Sequence, residues 1–151
     1  MRALPVLAIL LYAFARTGPA LAAEYLELLG DKKGRSYSAA VVVKSGKTVY
    51  LAGEGAISDA GGKSLVGDFD GQVRASFAEM EKTLARAGGK LSDIVSMTVY
   101  YTDVRNLGRF AAIRSELFPK NRPASAQITV SALAVPGMLV EIQAIAVIGG
   151  E

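Results

Sequence analysis

The sequence contains no histidine, no cysteine and no tryptophan, and these absences exclude several kinds of chemistry. Without histidine or cysteine, the chain cannot form a Ser-His-Asp triad, a cysteine nucleophile, a disulfide framework or an ordinary zinc site. A bound metal would have to be a hard cation held by carboxylates alone. Apolar residues are plentiful: they make up 51% of the 151 positions and can form the core of one compact domain.

The longest apolar run, from Ala3 to Ala15, is shorter than the roughly 20 residues that a membrane-spanning helix needs. It follows the basic start Met1-Arg2 and precedes the small residues Ala20-Leu21-Ala22. This order is typical of a cleavable secretory signal. We therefore predict that residues 1–22 are a signal peptide and that the rest is exported to the periplasm or secreted, without stable membrane association after cleavage. An uncleaved anchor and a start placed too far upstream are the alternatives.

Positive charge is in slight excess over the whole chain, and most of that excess belongs to the first segment. The sequence has 17 Lys and Arg against 14 Asp and Glu, a net charge of +3. Two of the arginines and none of the acids lie in residues 1–22, so the remaining chain has a net charge of +1. This balance predicts no nucleic-acid partner.

Residues 24–151 are predicted to form one domain, because no repeat, low-complexity tract or linker interrupts them. Stretches rich in β-branched residues predict six strands. In chain order they cover 25–29, 37–43, 48–52, 94–102, 126–133 and 139–148. Only Lys44-Ser45-Gly46-Lys47 separates the second strand from the third, which predicts that these two pair as a hairpin.

Apolar residues at helical spacing predict two helices, one before and one after the fourth strand. The predicted buried positions of the first helix are Val73, Phe77, Met80, Leu84 and Ala87, and the second helix is marked by Leu107, Phe110, Ile113, Arg114 and Leu117. Asp68 and Asp70 suit the positive N-terminal end of the first helix, and Gly88-Gly89 ends it. The order of elements predicts an α+β, two-layer domain, with a mixed sheet and both helices on one face.

The helix-free face of that sheet needs a cover, because the last strand is apolar on both of its faces. Ile142 and Ala144 share one face of this strand, and Ile145 and Val147 share the other. Self-association is the simplest cover, and we predict it here.

Two C-terminal stretches resemble the signature of the RidA (YjgF) family. They are Pro123-Ala124-Ser125-Ala126-Gln127, similar to the family's Pro-Ala-Arg-Ser segment, and Glu141-Ile142-Gln143-Ala144-Ile145-Ala146, similar to its Glu-Ile-Glu-Ala-Ile-Ala strand. The resemblance extends in order from about Ser36 to Val147. It implies a chorismate-mutase-like fold and a homotrimer whose sheets face inward, with ligand clefts between subunits. It implies no metal and no organic cofactor.

The resemblance also implies an activity and a set of site residues. Archetypal members hydrolyse 2-imino and enamino acids to a 2-oxo acid and ammonia. By position, Glu141 corresponds to the residue that positions or activates water. Tyr37, the backbone of Gly53, Ser125 and the backbone of Gln127 correspond to ligand contacts. Each position also suits a structural role, such as a salt bridge to a neighbouring subunit for Glu141.

The chain departs from the family pattern at its most important cation, since Ser125 stands where the family has arginine. A guanidinium offers a carboxylate two charge-assisted hydrogen bonds, whereas a hydroxyl offers one neutral hydrogen bond. Arg122 is the candidate replacement, although strand alternation directs it to the opposite face. Gln143 replaces the second acid of the family pattern, and two extra residues separate Tyr37 from Gly53. The sequence alone therefore leaves open whether the protein is catalytically active.

Two functions remain from these residues, and a third has little support. The first is hydrolytic deamination of 2-imino or enamino acids, weak or altered by the missing arginine. The alternative is a non-catalytic small-molecule-binding or holdase protein that uses the same clefts. A chorismate-mutase-type isomerase would need several cations to hold a dicarboxylate, and Arg122 is the one apparent candidate.

Overall fold

A computed structural model describes residues 23–149, which form six strands and two α-helices. The predicted signal peptide, residues 1–22, lies outside the described residues. The strands are β1 (Ala23–Leu26), β2 (Ala40–Val43), β3 (Lys47–Tyr50), β4 (Ile94–Tyr101), β5 (Ala124–Thr129) and β6 (Val140–Ile148), and the helices are α1 (Phe69–Arg86) and α2 (Leu107–Leu117). Of the helices in this part of the chain, neither has the length and apolar content needed to cross a membrane.

The main sheet has four strands in the order β3-β6-β4-β5. β4 and β5 run parallel, while the β3–β6 and β4–β6 pairs are antiparallel. Both helices pack on one face, where buried residues of α1 and α2 meet those of β4 and β6 in one cluster. The predicted two-layer α+β architecture, with a mixed sheet and helices on one face, is confirmed.

α1 forms as its sequence predicts. Val73, Phe77, Met80 and Leu84 lie on the face that packs against the sheet and are at most 2% exposed. The carboxylate of Asp68 accepts a hydrogen bond of 3.0 Å from the Gly71 N–H, which satisfies one of the free N–H groups at the helix start.

α2 buries a charged residue together with its apolar ones. Phe110, Ile113 and Arg114 are buried, whereas Leu107 at the start of the helix is 45% exposed. The ring of Phe110 stacks against Phe77 of α1 at 6.1 Å between centroids, which joins the two helices. Burial of Arg114 among these residues determines the geometry of the candidate site.

The predicted hairpin between the second and third strands is wrong. β2 pairs with β1 in a separate two-stranded sheet, and β3 pairs with β6 at the edge of the main sheet. Gly46, at φ +113, lies where a Cβ would collide with the carbonyl of Gly149, so the turn passes against the end of β6. The short turn therefore carries the chain from one sheet to the other, and long-range burial selects the strand partners.

The helix-free face, called the open face below, is covered along one half by the chain itself. Ala23 of β1 packs with Val95 and Val147 of the main sheet, and Tyr25 and Val41 pack against this cluster. Self-association was predicted as the simplest cover, but the β1–β2 sheet provides it for this half.

The other half of the open face has no cover among residues 23–149. Tyr50 is 79% exposed there, and Gln143 is exposed beside it. A shallow depression of about 150 Å³ lies between these side chains and Thr98. This uncovered half also carries Glu141, so it is part of the functional question.

Candidate functional site

Arg114 lies at the centre of a buried polar cluster that joins α2 to the start of β5. Its side chain is 1% exposed. Its Nη1 donates a hydrogen bond of 2.7 Å to the Ser125 hydroxyl. Its Nε and Nη2 donate bonds of 3.0 and 2.7 Å to the Ser36 hydroxyl. We call Ser36, Tyr37, Arg114 and Ser125 the arginine half-site.

Within the described part of the chain, the guanidinium has aromatic and hydroxyl neighbours but no acidic one. Its central carbon lies 5.3 Å from the ring centre of Tyr37 and 5.4 Å from that of Phe110, both in cation–π range. The ion pairs among residues 23–149 involve other side chains. Burial lowers the pKa of Arg114 to about 10, so the group stays charged at neutral pH. A buried cation without an anion costs several kcal/mol.

The hydrogen bonds of Arg114 determine what the Ser125 hydroxyl can do. Because the Ser125 oxygen accepts from the guanidinium, its own O–H is available to donate to another group. No described residue accepts that hydrogen, and Ser125 lines a cavity of about 450 Å³ together with Tyr37 and Ser38. The Ser125 hydroxyl therefore keeps a hydrogen that it can donate, with a positive charge directly behind it, and the residue borders this cavity.

Two further predicted residues lie near this half-site without joining it. The Gln127 side chain accepts a hydrogen bond of 3.2 Å from the Tyr101 hydroxyl, which holds it against β4. Arg122 donates from Nη1 to the Arg35 carbonyl at 2.8 Å and lines a neighbouring cavity that Ser125 does not line. The cation that stands beside Ser125 is Arg114, and Arg122 is not brought there.

Gly53 and Glu141 form a second group on the open face, the glutamate half-site. Glu141 is half-buried on β6, paired with Tyr100 of β4. A Cβ at Gly53 would collide with Oε1 of Glu141, so the absence of a side chain at position 53 makes room for this carboxylate. The carboxylate accepts no hydrogen bond and forms no ion pair within residues 23–149, which leaves both oxygens available.

A single chain does not bring the two half-sites together. Ser125 pairs with Met97 of β4, and Glu141 pairs with Tyr100 of the same strand. The two residues are therefore separated by two strand spacings, about 10 Å, and by about 10 Å along the strands. Met97 is buried against the helices whereas Tyr100 is not, so the two side chains also leave opposite faces of the sheet.

Arg114 and Ser36 are the site residues that sequence reasoning missed. Arg114 shares the helical spacing of the apolar residues that mark α2, and a charged residue in such a position is rarely buried without a special reason. That signal could have identified it. Ser36 gave no signal, since its contact with Arg114 spans 78 positions of sequence.

Comparisons with known proteins agree with this architecture. The protein-family model described as Endoribonuclease L-PSP matches residues 32–148. A Dermatophagoides farinae protein named 2-iminobutanoate/2-iminopropanoate deaminase is 31% identical over 115 residues, which is 74% of this chain and 85% of that protein.

Two solved structures share the fold. A Mycobacterium tuberculosis protein, described as a member of the YjgF/YER057c/UK114 family, is 33% identical with a TM-score of 0.60, over 75% of this chain and 87% of its own. A Yersinia pestis protein of unknown function, described as belonging to the conserved Rid family, is 27% identical with a TM-score of 0.71, over 85% of this chain and all of its own.

Proposed function

The chain belongs to the YjgF/RidA family, and from this premise we propose that it hydrolyses 2-imino acids to 2-oxo acids and ammonia. One observation carries the proposal. A guanidinium lies behind Ser125, the position at which the family resemblance expects an arginine. The positive charge that would attract a substrate carboxylate is therefore supplied from α2 instead of β5.

The arginine half-site would bind the carboxylate through the Ser125 hydroxyl. A hydroxyl that accepts a hydrogen bond from a cation becomes a stronger donor, because the two bonds polarise each other. The ligand carboxylate would also provide the anion that the buried Arg114 lacks. The bond to the ligand is still a single one, so we expect weaker binding than a direct guanidinium fork would give.

The glutamate half-site would act on the water. A carboxylate with no other partner can accept a proton from a water molecule as that water's oxygen bonds to C2 of the imine. The same proton then passes to the nitrogen, giving an intermediate that carries a hydroxyl and an amino group on C2. Glu141 next moves the hydroxyl proton to the nitrogen, the C–N bond breaks, and ammonia leaves with the 2-oxo acid formed.

The proposal requires two copies of the chain. Ser125 and Glu141 of one chain leave opposite faces of the sheet, so one small ligand reaches both only if they come from neighbouring subunits. The uncovered half of the open face carries Glu141 and exposed apolar side chains such as Tyr50 and Ile128, which suit a subunit interface. We propose a homotrimer with the clefts between its subunits.

The first test is hydrolysis of a 2-imino acid generated in the assay by an amino acid oxidase. The full-length protein is expected to accelerate release of the 2-oxo acid above the spontaneous rate. Glu141→Gln should reduce that acceleration by about 100-fold, since it removes the proton acceptor but keeps the shape. Glu81→Gln, an exposed glutamate on α1, is the matched control and should leave the rate unchanged.

The second arm tests whether the half-sites come from different copies. Ser125→Asp would pair with Arg114 and repel a carboxylate, so this variant should be folded and inactive. If it is assembled in equal amounts with Glu141→Gln, about one quarter of the clefts combine two intact half-sites in a closed ring, and activity should return to that level.

Three results would contradict the proposal. Acceleration by wild-type protein that survives in Glu141→Gln would remove Glu141 from the reaction. Mixed assemblies with no recovery would place each site within one copy. Binding of 2-oxo acids without any acceleration would favour the alternative, a non-catalytic binding protein that the missing family arginine also suits.

A further inference from the structure

A basic groove adjoins the arginine half-site. It has a volume of about 510 Å³ and lies between the loop that precedes Ser38 and the turn that follows α2. Four cationic side chains line it, and they are Lys33, Arg35, Lys120 and Arg122. Glu27 is the one acidic residue in that lining, so the charged side chains of the groove have a net charge of +3.

The positive charge of the groove is not neutralised by the fold. The ion pairs within residues 23–149 do not include any of these four cations. Arg122 has a structural partner, since it donates to the Arg35 carbonyl at 2.8 Å and so joins the two walls. Lys33, Arg35 and Lys120 are exposed, and their charges are available to a ligand.

The groove and the cavity at Ser125 share a wall. Leu28, Tyr37 and Ser38 line both of them. The Ser38 hydroxyl donates to the Arg122 carbonyl at 2.5 Å, and its N–H donates to the Pro123 carbonyl at 3.1 Å, which fixes this wall to the start of β5. A ligand whose first carboxylate lies at Ser125 can therefore extend along Tyr37 and Ser38 toward the four cations.

We propose that the preferred ligands carry a second anionic group, which lies in the basic groove when the first carboxylate is at Ser125. This inference rests on the proposed function, because it assigns the first carboxylate to the arginine half-site. Several like charges that converge on one groove attract an anion even where each exposed pair contributes little. The substrate class is then a 2-imino dicarboxylate or another 2-imino acid with a distal anion.

The test compares two 2-oxo acids of equal carbon number, 2-oxoglutarate and 2-oxopentanoate, which differ in the distal carboxylate. Calorimetric titration of the full-length protein is expected to give about tenfold tighter binding of 2-oxoglutarate at low salt. The variant Lys33→Gln/Arg35→Gln/Lys120→Gln should remove this preference and leave the affinity for 2-oxopentanoate unchanged. The preference should also decline as salt is added.

The control variant Lys63→Gln/Arg86→Gln/Lys90→Gln removes the same charge from exposed positions outside both cavities and should keep the preference. Thermal unfolding of each variant checks that it is folded.

The outcomes separate this inference from the proposed function. Equal affinity for the two acids would overturn the dianion preference and leave the carboxylate site at Ser125 standing. A preference that survives in the groove variant would place the second anion elsewhere and also overturn it. Binding of neither acid, or binding that Ser125→Asp does not weaken, would overturn the proposed carboxylate site and this inference with it.

Discussion

The two half-sites hold opposite charges in opposite ways. The Arg114 guanidinium is 1% exposed and is fixed by two hydroxyls and two aromatic rings. The Glu141 carboxylate is half-buried, and no group within residues 23–149 donates a hydrogen bond to it. The fold thus surrounds the cation on all sides and leaves the anion available.

This difference in burial and partners suggests a structural role for the Arg114 side chain and a chemical role for the Glu141 side chain. A buried charge with several contacts is part of the packing, and its removal leaves a cavity and hydroxyls without their partner. A carboxylate without a hydrogen-bond or ion-pair partner among the described residues contributes little to folding, and its place on a mostly apolar strand fits a chemical role. We therefore expect substitutions in the arginine half-site to reduce stability and those in the glutamate half-site to reduce activity.

The largest expected effect is on stability at Arg114. Arg114→Ala should lower the free energy of unfolding by about 3 kcal/mol, because it opens a cavity and removes three hydrogen bonds and two cation–π contacts. Glu141→Ala should change it by less than about 0.5 kcal/mol. Urea unfolding at one protein concentration measures both.

Arg114→Met separates the size of the side chain from its charge. Methionine fills most of the volume and buries no charge, so this variant should lose less than half as much stability as Arg114→Ala. Equal losses in Arg114→Ala and Glu141→Ala would show that the two half-sites do not differ as described.

The next effect concerns the space that Gly53 leaves for Glu141. In Gly53→Ala the new Cβ would collide with Oε1, so the carboxylate must turn away from its present position. We expect imine hydrolysis to fall by about tenfold or more, because a small misplacement of a catalytic group is costly. Stability should change by less than about 1 kcal/mol, since the Glu141 side chain can rotate.

Gly108→Ala is the matched control for that substitution. Apart from the adjoining residues and the helix's own backbone, no atom of residues 23–149 lies within 4 Å of a Cβ at position 108, on the first turn of α2. Hydrolysis should be unchanged there, and stability should stay the same or rise slightly, because alanine favours a helix. Full activity in Gly53→Ala would show that the carboxylate is not used in its present position.

The sequence was sufficient to predict those elements whose patterns lie within one stretch of the chain. The spacing of Val73, Phe77, Met80 and Leu84 predicted the buried face of α1, and the order of strands and helices predicted the two layers. The pairing of β2 could not be predicted in this way, because adjacent strands and a short turn fit a hairpin equally well. The choice of partner depends on burial against Val95 and Val147, which are distant in sequence.

The same limit applies to the candidate site. The resemblance to a known family pointed to Ser125 and Glu141 by position, and it implied that an arginine of the family pattern is absent at position 125. It could not show that Arg114 supplies a guanidinium from another element, because that contact depends on how α2 packs beside β5. Contacts of this kind between separate elements are seen in the folded structure, and spacing along the chain does not predict them.

The smallest expected effect concerns Glu54, a second carboxylate next to the glutamate half-site. The backbone of Glu54 exchanges two hydrogen bonds of 2.9 Å with Ile142, one residue beyond Glu141. Burial raises the pKa of Glu54, and the charge of Glu79 on α1 raises it further. The folded protein therefore disfavours the ionised form of Glu54. This lowers the free energy of unfolding at a pH above the pKa of Glu54 in the folded state, and the effect disappears below its pKa in the unfolded state.

Glu54→Gln should remove this penalty and so raise the free energy of unfolding at pH 7, by less than about 0.5 kcal/mol for a group that is partly exposed. The gain should vanish near pH 3, where both states of the wild-type protein are protonated at this position. Imine hydrolysis should be unchanged, in contrast to Glu141→Gln. Loss of activity in Glu54→Gln would mean that the carboxylate chemistry at this strand end is not confined to Glu141. A stability gain that persists at pH 3 would show that the gain does not come from the charge of Glu54.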